Sequence, residues 1–373
     1  MSKVWLYFEN GLFLEANSFG SKGTAVGEVV FNTSLTGYQE IITDPSYAGQ
    51  FITFTMPEIG NVGCNKEDME SRGAFCKGVI VRNYQKRPSN FRSEEPLDEL
   101  LKRHNILGIC DIDTRYLTKM LRDEGAMEMV ASTKISSKEE LKKILESSPK
   151  IGEINYIKEV TTKEPYIHKF GKYDAREFKY TTPETTKNII VYDFGVKRNI
   201  LNELVSVGLN VEVTPASTPA KEVLKRYKNN EIGGVFLSNG PGDPLVLEEQ
   251  KQIIKELISL DIPIFAICLG HQMLSIAHGY DTYKLKFGHH GGNHPVKNKE
   301  GKVEITAQNH NYNVPESIKE VADVTHVNLF DNTIEGLEYK SGNIISVQHH
   351  PEASPGPRES SYIFREFAKR VKE

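Results

Sequence analysis

The sequence predicts an α/β protein built from a β-rich α+β amino-terminal domain and a carboxy-terminal doubly wound, mostly parallel sheet with helices on both faces. In the second half, continuous apolar runs alternate with segments of helical periodicity, which is typical of parallel strands buried on both faces. The first half instead has short β-forming runs separated by Gly, Asn and Pro. A length of 373 residues suits two domains.

The elements of the first half are short. Strands are expected at 4–8, 27–32, 50–56 and 78–82. A helix is expected at about 97–104 and another at 115–124, with Thr114 as its amino-terminal cap. This mixture predicts a compact domain over residues 1–150.

A polar stretch follows the first domain. From 151 to 186 the chain is rich in Lys, Thr and Tyr and has little periodicity, so we predict a linker region there. The second domain is then expected to occupy residues 187–373.

The second half alternates strands and helices. Apolar runs predict strands at 188–192, 211–213, 234–238 and 263–267. Helices are expected to end at Gly208 and to cover 220–227, 247–259 and 271–278. Reactive residues of such a sheet collect beyond the carboxyl ends of its strands.

Composition excludes several classes of protein. Lys and Arg total 46 against 50 Asp and Glu, a formal net charge of −4, so no electrostatic footprint for nucleic acid is present. No apolar run approaches the ~18–20 residues that a membrane span needs, and the first residues lack a signal-peptide pattern. The four cysteines form no Cys-x-x-Cys pair. A cytoplasmic protein with free thiols is expected.

Cys268 stands where a predicted strand meets a predicted helix. Ala266 and Gly270 flank it, and small neighbours at a sharp strand-to-helix turn are typical of a nucleophile elbow. The positive end of a helix dipole favours a thiolate there. The alternative, a buried structural cysteine, stays open at this point because that is the common fate of a lone free cysteine.

A second reactive pair follows the apolar run 344–347. His350 and Glu352 are two residues apart, so an extended backbone points both side chains the same way, with Pro351 restricting the chain between them. A carboxylate beside an imidazole fixes its tautomer and stabilises its protonated form. A surface His–Glu pair is the alternative, and the position of Cys268 at another strand end weakens it.

The loop 238–244, Ser-Asn-Gly-Pro-Gly-Asp-Pro, follows a third strand. Its glycines allow backbone N–H groups to approach a ligand and to bind an oxyanion. Taken alone, a tight turn explains the loop equally well. No nucleotide-binding glycine motif is present.

Histidines at 289, 290, 294 and 310 raise the question of a metal site. No carboxylate or cysteine accompanies them at ligand spacing, so we predict no metal and a structural loop at 289–294.

Together these motifs resemble the class I, or triad-type, glutamine amidotransferases. The resemblance rests on 267–272 (Ile-Cys-Leu-Gly-His-Gln), the loop 238–244 and 350–352 (His-Pro-Glu). The first half resembles the small subunit of carbamoyl phosphate synthetase. The segments that carry this second resemblance are 35–48, 59–63, 113–115 and 193–200.

The resemblance implies a role for each matching residue. Cys268 becomes the nucleophile, His350 the general base and Glu352 the residue that orients it. Glutamine binding is implied for a larger set: Ser46, Gly240, Gly242, Leu269, Gln272, Asn309, Asn311 and Tyr312. The sequence departs from the family pattern at Ala266, where Gly is usual, and at Asn311-Tyr312, where Gly-Phe is usual.

The resemblance also implies an activity and a partner. The chain is expected to hydrolyse L-glutamine to glutamate and ammonia without a cofactor of its own. A large subunit, which carries ATP and Mg, is expected to use the ammonia with bicarbonate to make carbamoyl phosphate. The resemblance does not distinguish supply to arginine synthesis from supply to pyrimidine synthesis.

Two other interpretations remain at this stage. An amidotransferase that serves another synthase is disfavoured by the segment 35–48. A non-catalytic regulatory subunit with a dead glutaminase site is disfavoured because Cys268, His350 and Glu352 are all present.

Overall fold

A computed structural model describes residues 2–372. The chain forms two compact units. The first comprises residues 1–156 with 286–291, and the second comprises residues 157–285 with 292–373.

The first unit is built on a barrel of short strands. Its strands are β1 Ser2–Phe8, β2 Phe13–Gly20, β3 Thr24–Asn32, β4 Gln50–Phe54, β5 Glu58–Ile59, β6 Gly78–Ile80, β7 Asn83–Tyr84, β8 Leu107–Cys110 and β9 Met127–Ser132. The closed barrel has the order β1-β2-β8-β6-β4-β3-β9. Closure pairs the edges of the sheet, so these strands leave no unpaired edge.

Helices of the first unit pack around this barrel. They are α1 Tyr38–Thr43, α2 Leu97–Arg103, α3 Thr114–Glu124 and α4 Lys138–Ser147. The predicted cap of α3 is wrong by one residue. The Asp113 carboxylate, not the Thr114 hydroxyl, accepts the N–H of Tyr116 at 3.0 Å, so Thr114 is already the first helical residue.

The second unit alternates strands and helices before it turns to antiparallel strands. Its strands are β10 Tyr166–His168, β11 Tyr173–Asp174, β12 Lys179–Tyr180, β13 Lys187–Asp193, β14 Leu209–Pro215, β15 Gly234–Leu237, β16 Ile264–Ile267, β17 Tyr283–Asn298, β18 Val303–Asn313, β19 Ala322–Asn328, β20 Ile334–Tyr339 and β21 Ile344–Val347. Residues 286–291 of β17 are counted with the first unit. Its helices are α5 Ile157–Val160, α6 Arg198–Ser206, α7 Ala220–Lys228, α8 Glu248–Leu257, α9 Leu269–Ala277 and α10 Tyr362–Arg370.

One sheet organises this unit, in the order β10-β14-β13-β15-β16-β21-β20-β19-β17-β18. Its centre, from β14 to β21, is parallel, with Val235 opposite Ile264 and Ile267 opposite Val347. The antiparallel strands continue from β21 through β20 and β19. The parallel centre places the carboxyl ends of β15, β16 and β21 side by side.

Apolar residues cover both faces of the parallel centre. On one face Val235 and Ile264 pack with residues of α7, α8 and α9. On the other, Phe236 and Phe265 pack with residues of α6 and α10. The alternation along each strand sends successive side chains to opposite faces. The predicted fold class, an α/β unit with helices on both faces beside a β-rich unit, is confirmed.

The expectation of a loop at 289–294 is wrong. These residues belong to the long strand β17, and the carbonyl of His290 accepts the N–H of Thr33 at 3.1 Å. The two adjacent glycines, Gly291 and Gly292, resemble a turn signal, yet they continue the strand.

No helix in the described part of the chain has the length and apolarity that crossing a membrane requires.

Candidate active site

Cys268 occupies the turn between β16 and α9. Its φ of 53° and ψ of −106° are unusual for a residue with a side chain, and it forms the amino-terminal boundary of α9. Its backbone N–H is held by the carbonyl of Val347 at 2.9 Å. The cysteine is 2% exposed, and its Sγ lies 3.5 Å from the carbonyl oxygen of Asn309. The elbow expected from the sequence is therefore present as backbone geometry.

The elbow depends on a small residue at Gly270. A Cβ at this position would lie 2.4 Å from the carbonyl oxygen of Leu237, which is too short for a non-bonded contact. The Gly270 N–H instead donates to the carbonyl of Ser238 at 3.0 Å. Helix α9 can therefore start against the end of β15 and its loop.

His350 and Glu352 form a buried pair beyond β21. Nδ1 of His350 lies 2.6 Å from Oε1 of Glu352, and the two residues are 2% and 0% exposed. The backbone N–H of His350 donates to the carbonyl of Ala307 at 2.9 Å. The Glu352 contact fixes the ring so that Nε2 is the nitrogen left for other chemistry.

Charges in this pair offset the cost of burial. Burial lowers the pKa of His350, but the neighbouring Glu352 carboxylate outweighs that effect and raises it to about 10. Burial raises the pKa of Glu352, and the charges of Lys197 and His350 bring it down to about 2. The contribution of Glu352 to stability is therefore present above its ordinary pKa and is lost as pH falls toward 2.

Lys197 is a site residue that the sequence analysis did not identify. It is 3% exposed, and its Nζ lies 3.0 Å from Oε1 of Glu352 and 2.6 Å from the carbonyl oxygen of Ala353. The Asn199 side chain donates to the carbonyl of Glu352 at 2.5 Å. Lys197 follows β13, so the strand-end rule places it at the same edge of the sheet as Cys268 and His350, but that rule does not indicate that a lysine there is buried.

The loop 238–244 lies against the segment that follows β13. The Ser238 hydroxyl accepts the N–H of Phe194 at 2.9 Å, and the Asn239 side chain accepts the N–H of Lys197 at 3.1 Å. A Cβ on Gly240 would lie 2.3 Å from the carbonyl oxygen of Phe194 and 2.7 Å from the Leu269 side chain. Gly242 has a φ of 86°, which favours glycine. Gly240 and Leu269 are therefore neighbours.

Strand β18 carries three further residues that were predicted to bind glutamine. Asn309, Asn311 and Tyr312 are all buried, at 9%, 7% and 8% exposure. The Gln272 side chain donates to the carbonyl of Tyr312 at 2.8 Å and to Oε1 of Gln348 at 3.0 Å. Asn309 meets Cys268 through its carbonyl oxygen. These contacts join α9 to β18 beside the cysteine.

Ser46 lies in the first unit, in a 3₁₀ turn, Pro45–Tyr47, where its backbone N–H donates to the Asp44 carboxylate at 2.9 Å. It is 8% exposed. Its role in glutamine binding stays a prediction.

The other three cysteines have a different environment. Burial raises the pKa of Cys64 and raises that of Cys76 and Cys110 to about 12. These three thiols stay protonated near neutral pH and are poor nucleophiles.

Two family descriptions match the chain. "Carbamoyl-phosphate synthase small chain, CPSase domain" matches residues 6–131, and "Glutamine amidotransferase class-I" matches residues 190–370. The second match contains Cys268, His350, Glu352 and Lys197.

Curated relatives match nearly the whole chain. A carbamoyl phosphate synthase small chain of Helicobacter hepaticus is 63% identical over 99% of this chain and 98% of its own length. One from Campylobacter jejuni is 56% identical over 98% of this chain and 99% of its own length. A chloroplastic small chain of Oryza sativa is 47% identical over 100% of this chain and 83% of its own length.

Proposed function

The chain belongs to the carbamoyl-phosphate synthase small chain family of glutamine-hydrolysing amidotransferases, and we propose that it hydrolyses glutamine through Cys268, His350 and Glu352. The observation that carries this proposal is the buried His350–Glu352 pair, 2.6 Å apart, which follows β21 at the same edge of the parallel sheet as the Cys268 elbow after the neighbouring strand β16. Nucleophile, base and orienting carboxylate are the parts that an acyl transfer needs.

The first half of the reaction releases ammonia. A protonated His350 stabilises a thiolate at Cys268, and Sγ attacks the carboxamide carbon of glutamine to form a C–S bond. The oxyanion that develops is held by the backbone N–H of Leu269, at the first position of α9, and by the 240–242 loop. His350 gives its proton to the amide nitrogen, the C–N bond breaks and ammonia leaves.

The second half regenerates the enzyme. His350, now neutral, takes a proton from water, and the hydroxide attacks the thioester carbon. The C–S bond breaks, glutamate leaves and Cys268 returns to its starting state. Glu352 keeps the ring oriented through both proton transfers, and Lys197 balances the carboxylate charge.

We further propose that the ammonia passes to a large subunit, which uses it with bicarbonate and ATP to make carbamoyl phosphate. Free ammonia would become protonated in water and lose its nucleophilicity, so hydrolysis is best coupled to its use. The isolated chain is expected to release glutamate slowly, and the large subunit with bicarbonate and ATP to accelerate that release about 10²-fold.

Glutamate release by the purified chain, alone and with its large subunit, tests this proposal. Equal rates in the two cases would contradict the coupling and leave the glutaminase assignment intact. No glutamate in either case would contradict the assignment.

Lys197→Met is expected to destabilise the second unit. It removes the cation beside Glu352 and leaves a buried carboxylate with one charged partner fewer. Breaking a buried pair from one side typically costs about 3–5 kcal/mol of unfolding free energy. Denaturant unfolding measures the loss. Lys179→Met is the matched control, because the Lys179–Glu177 pair is exposed and contributes less than about 1 kcal/mol. A loss no larger than that of the control would contradict a structural role for Lys197.

A further inference from the structure

Glu335 is a buried carboxylate that the proposed reaction does not use. It lies on β20 in the second unit and is 0% exposed. Its Oε2 accepts a hydrogen bond from the Gln308 side chain at 2.9 Å, and its Oε1 accepts one from the Asn328 side chain at 3.3 Å. Both donors are neutral amides, and a buried carboxylate normally needs a cation nearby as well.

The orientation of the Gln308 amide follows from its neighbours. An ionised carboxylate only accepts hydrogen bonds, so the NH₂ group of Gln308 must face Glu335. The same NH₂ group lies 3.1 Å from the hydroxyl of Thr306, which already donates its proton to the carbonyl of His294 at 3.0 Å and therefore accepts here. The amide oxygen of Gln308 is thereby directed to the opposite side.

His310 lies between two oxygen atoms that can only accept. Its Nε2 is 3.0 Å from the amide oxygen of Gln308, and its Nδ1 is 2.9 Å from the carbonyl oxygen of Tyr312. A neutral imidazole has one N–H and would set the lone pair of its other nitrogen against an oxygen, so only a doubly protonated ring donates to both. Nε2 also lies 3.9 Å from Oε1 of Glu335, and both side chains are buried. A charged His310 is therefore the cation that balances Glu335.

The other histidines that face Glu335 within the second unit are poorer candidates for this charge. Nδ1 of His349 lies 3.8 Å from Oε2 of Glu335, but neither ring nitrogen of His349 has a hydrogen-bond partner within residues 2–372. A second proton on His349 would therefore leave two buried N–H groups unsatisfied. Burial lowers the pKa of His271 and of His326 to about 3, so both are neutral near neutral pH.

The charge on His310 acts on the end of β18. The carbonyl of Tyr312 accepts the Nδ1–H of His310 and also a hydrogen bond from the Gln272 side chain at 2.8 Å. Asn309 lies on the same strand, and its carbonyl oxygen is 3.5 Å from Sγ of Cys268. A hydrogen bond from a charged donor is roughly twice as strong as one from a neutral donor. A protonated His310 therefore fixes this part of β18 beside the cysteine more firmly than a neutral ring would.

We propose that Glu335 is a positioning residue of the glutaminase site. It keeps His310 doubly protonated, and His310 fixes the Tyr312 carbonyl and with it the part of β18 expected to bind glutamine. The proposal rests on the proposed function, which supplies the substrate. Glu335 acts through Gln308 and His310 and takes no part in the bonds that form or break.

Histidine ¹⁵N NMR of the full chain tests the charge of His310 without any activity measurement. The signals are assigned by their loss in His310→Asn. Both ring nitrogens of His310 are expected to carry protons at about pH 8, where an ordinary histidine, with a pKa of about 6.5, is neutral. A neutral His310 ring, a ring nitrogen of His310 bound to a metal, or the charge on His349 instead would overturn the proposal.

Glu335→Gln tests the positioning role, because it preserves the shape of the side chain and removes its charge. The control is Glu338→Gln on the same strand, where the partly exposed carboxylate pairs with Arg370 and Lys299. At about pH 8, Glu335→Gln is expected to raise the KM for glutamine about tenfold, with kcat within about twofold of the wild type, while the control retains the wild-type KM.

The pH dependence of this effect distinguishes positioning from a merely structural role. Near pH 6 an ordinary histidine takes up a proton without help, so the KM of Glu335→Gln should approach that of the wild type at the same pH. A wild-type KM in Glu335→Gln at about pH 8, or a KM raised by the same factor at both pH values, would overturn the positioning role. A wild-type chain that releases no glutamate would overturn the proposed function and this role with it, whereas NMR decides the charge of His310 separately.

Discussion

Cys268→Ser is expected to abolish glutamine-dependent carbamoyl phosphate synthesis by the complex while ammonia-dependent synthesis continues. A serine hydroxyl ionises far less readily than a thiol near neutral pH, so the nucleophile is lost although the side chain still fits the elbow. The glutamine-dependent rate should fall by roughly 10³-fold or more. Rates with glutamine and with ammonium salts, measured on the same preparation, give the comparison.

A second cysteine provides the control for this experiment. Cys110 is fully buried in β8 of the first unit, and Cys110→Ser should retain glutamine-dependent synthesis. If Cys268→Ser forms a folded complex that has lost both activities, then Cys268 has a structural role and the assignment of the nucleophile is wrong.

Gly240→Ala is expected to reduce glutamine hydrolysis by roughly 10²-fold. The new methyl group would meet the carbonyl oxygen of Phe194 at 2.3 Å and the Leu269 side chain at 2.7 Å, so the loop must move. A loop displaced by about 1 Å no longer presents its N–H groups to the oxyanion. The kcat/KM for glutamine, determined on the purified chain, measures the effect.

Gly208→Ala is the control for Gly240→Ala, because it introduces backbone strain without a steric clash. Gly208 has a φ of 90° and no atom within 4 Å of an added Cβ, so its substitution costs about 1–2 kcal/mol of backbone strain without moving the loop. Gly208→Ala should keep near wild-type kcat/KM. Equal losses in the two variants would show that strain, rather than the position of the 240–242 loop, limits hydrolysis.

The sequence predicts the parallel strands and the position of the site well, because burial on both faces alone determines the pattern of these strands. The parallel strands are buried on both faces, so apolar runs such as Ile189–Val191 mark them directly, and their carboxyl ends then locate Cys268 and His350. The elbow required only small neighbours, which can be read from Ala266 and Gly270.

The antiparallel half of the second sheet was harder to find. Strand β17 contains three histidines and three lysines, at positions that do not alternate regularly between the two faces, and its Gly291–Gly292 pair resembles a turn. Its extended form depends on pairing with strands distant in sequence, as Val296 opposite Asn328 shows. Local propensity carries little information about such pairings.

Lys197 could not be recognised as a site residue from the sequence, for a different reason. A lysine after a strand is usually solvated, and nothing in its neighbours signals burial. Its position is set by Glu352, which is distant in the chain and fully buried. The choice between Asp113 and Thr114 as the cap of α3 was likewise decided by backbone geometry, since both residue types are good caps.

Trapping the covalent intermediate tests the central claim most directly. The purified chain is mixed with labelled glutamine, quenched in acid within the first turnovers and digested, and the peptides are analysed by mass spectrometry. A glutamyl thioester is expected on the peptide that contains Cys268 and on no other cysteine peptide. It should be absent from Cys268→Ser. Glutamate release that continues in Cys268→Ser, or an adduct on Cys64, Cys76 or Cys110 in its place, would contradict the account.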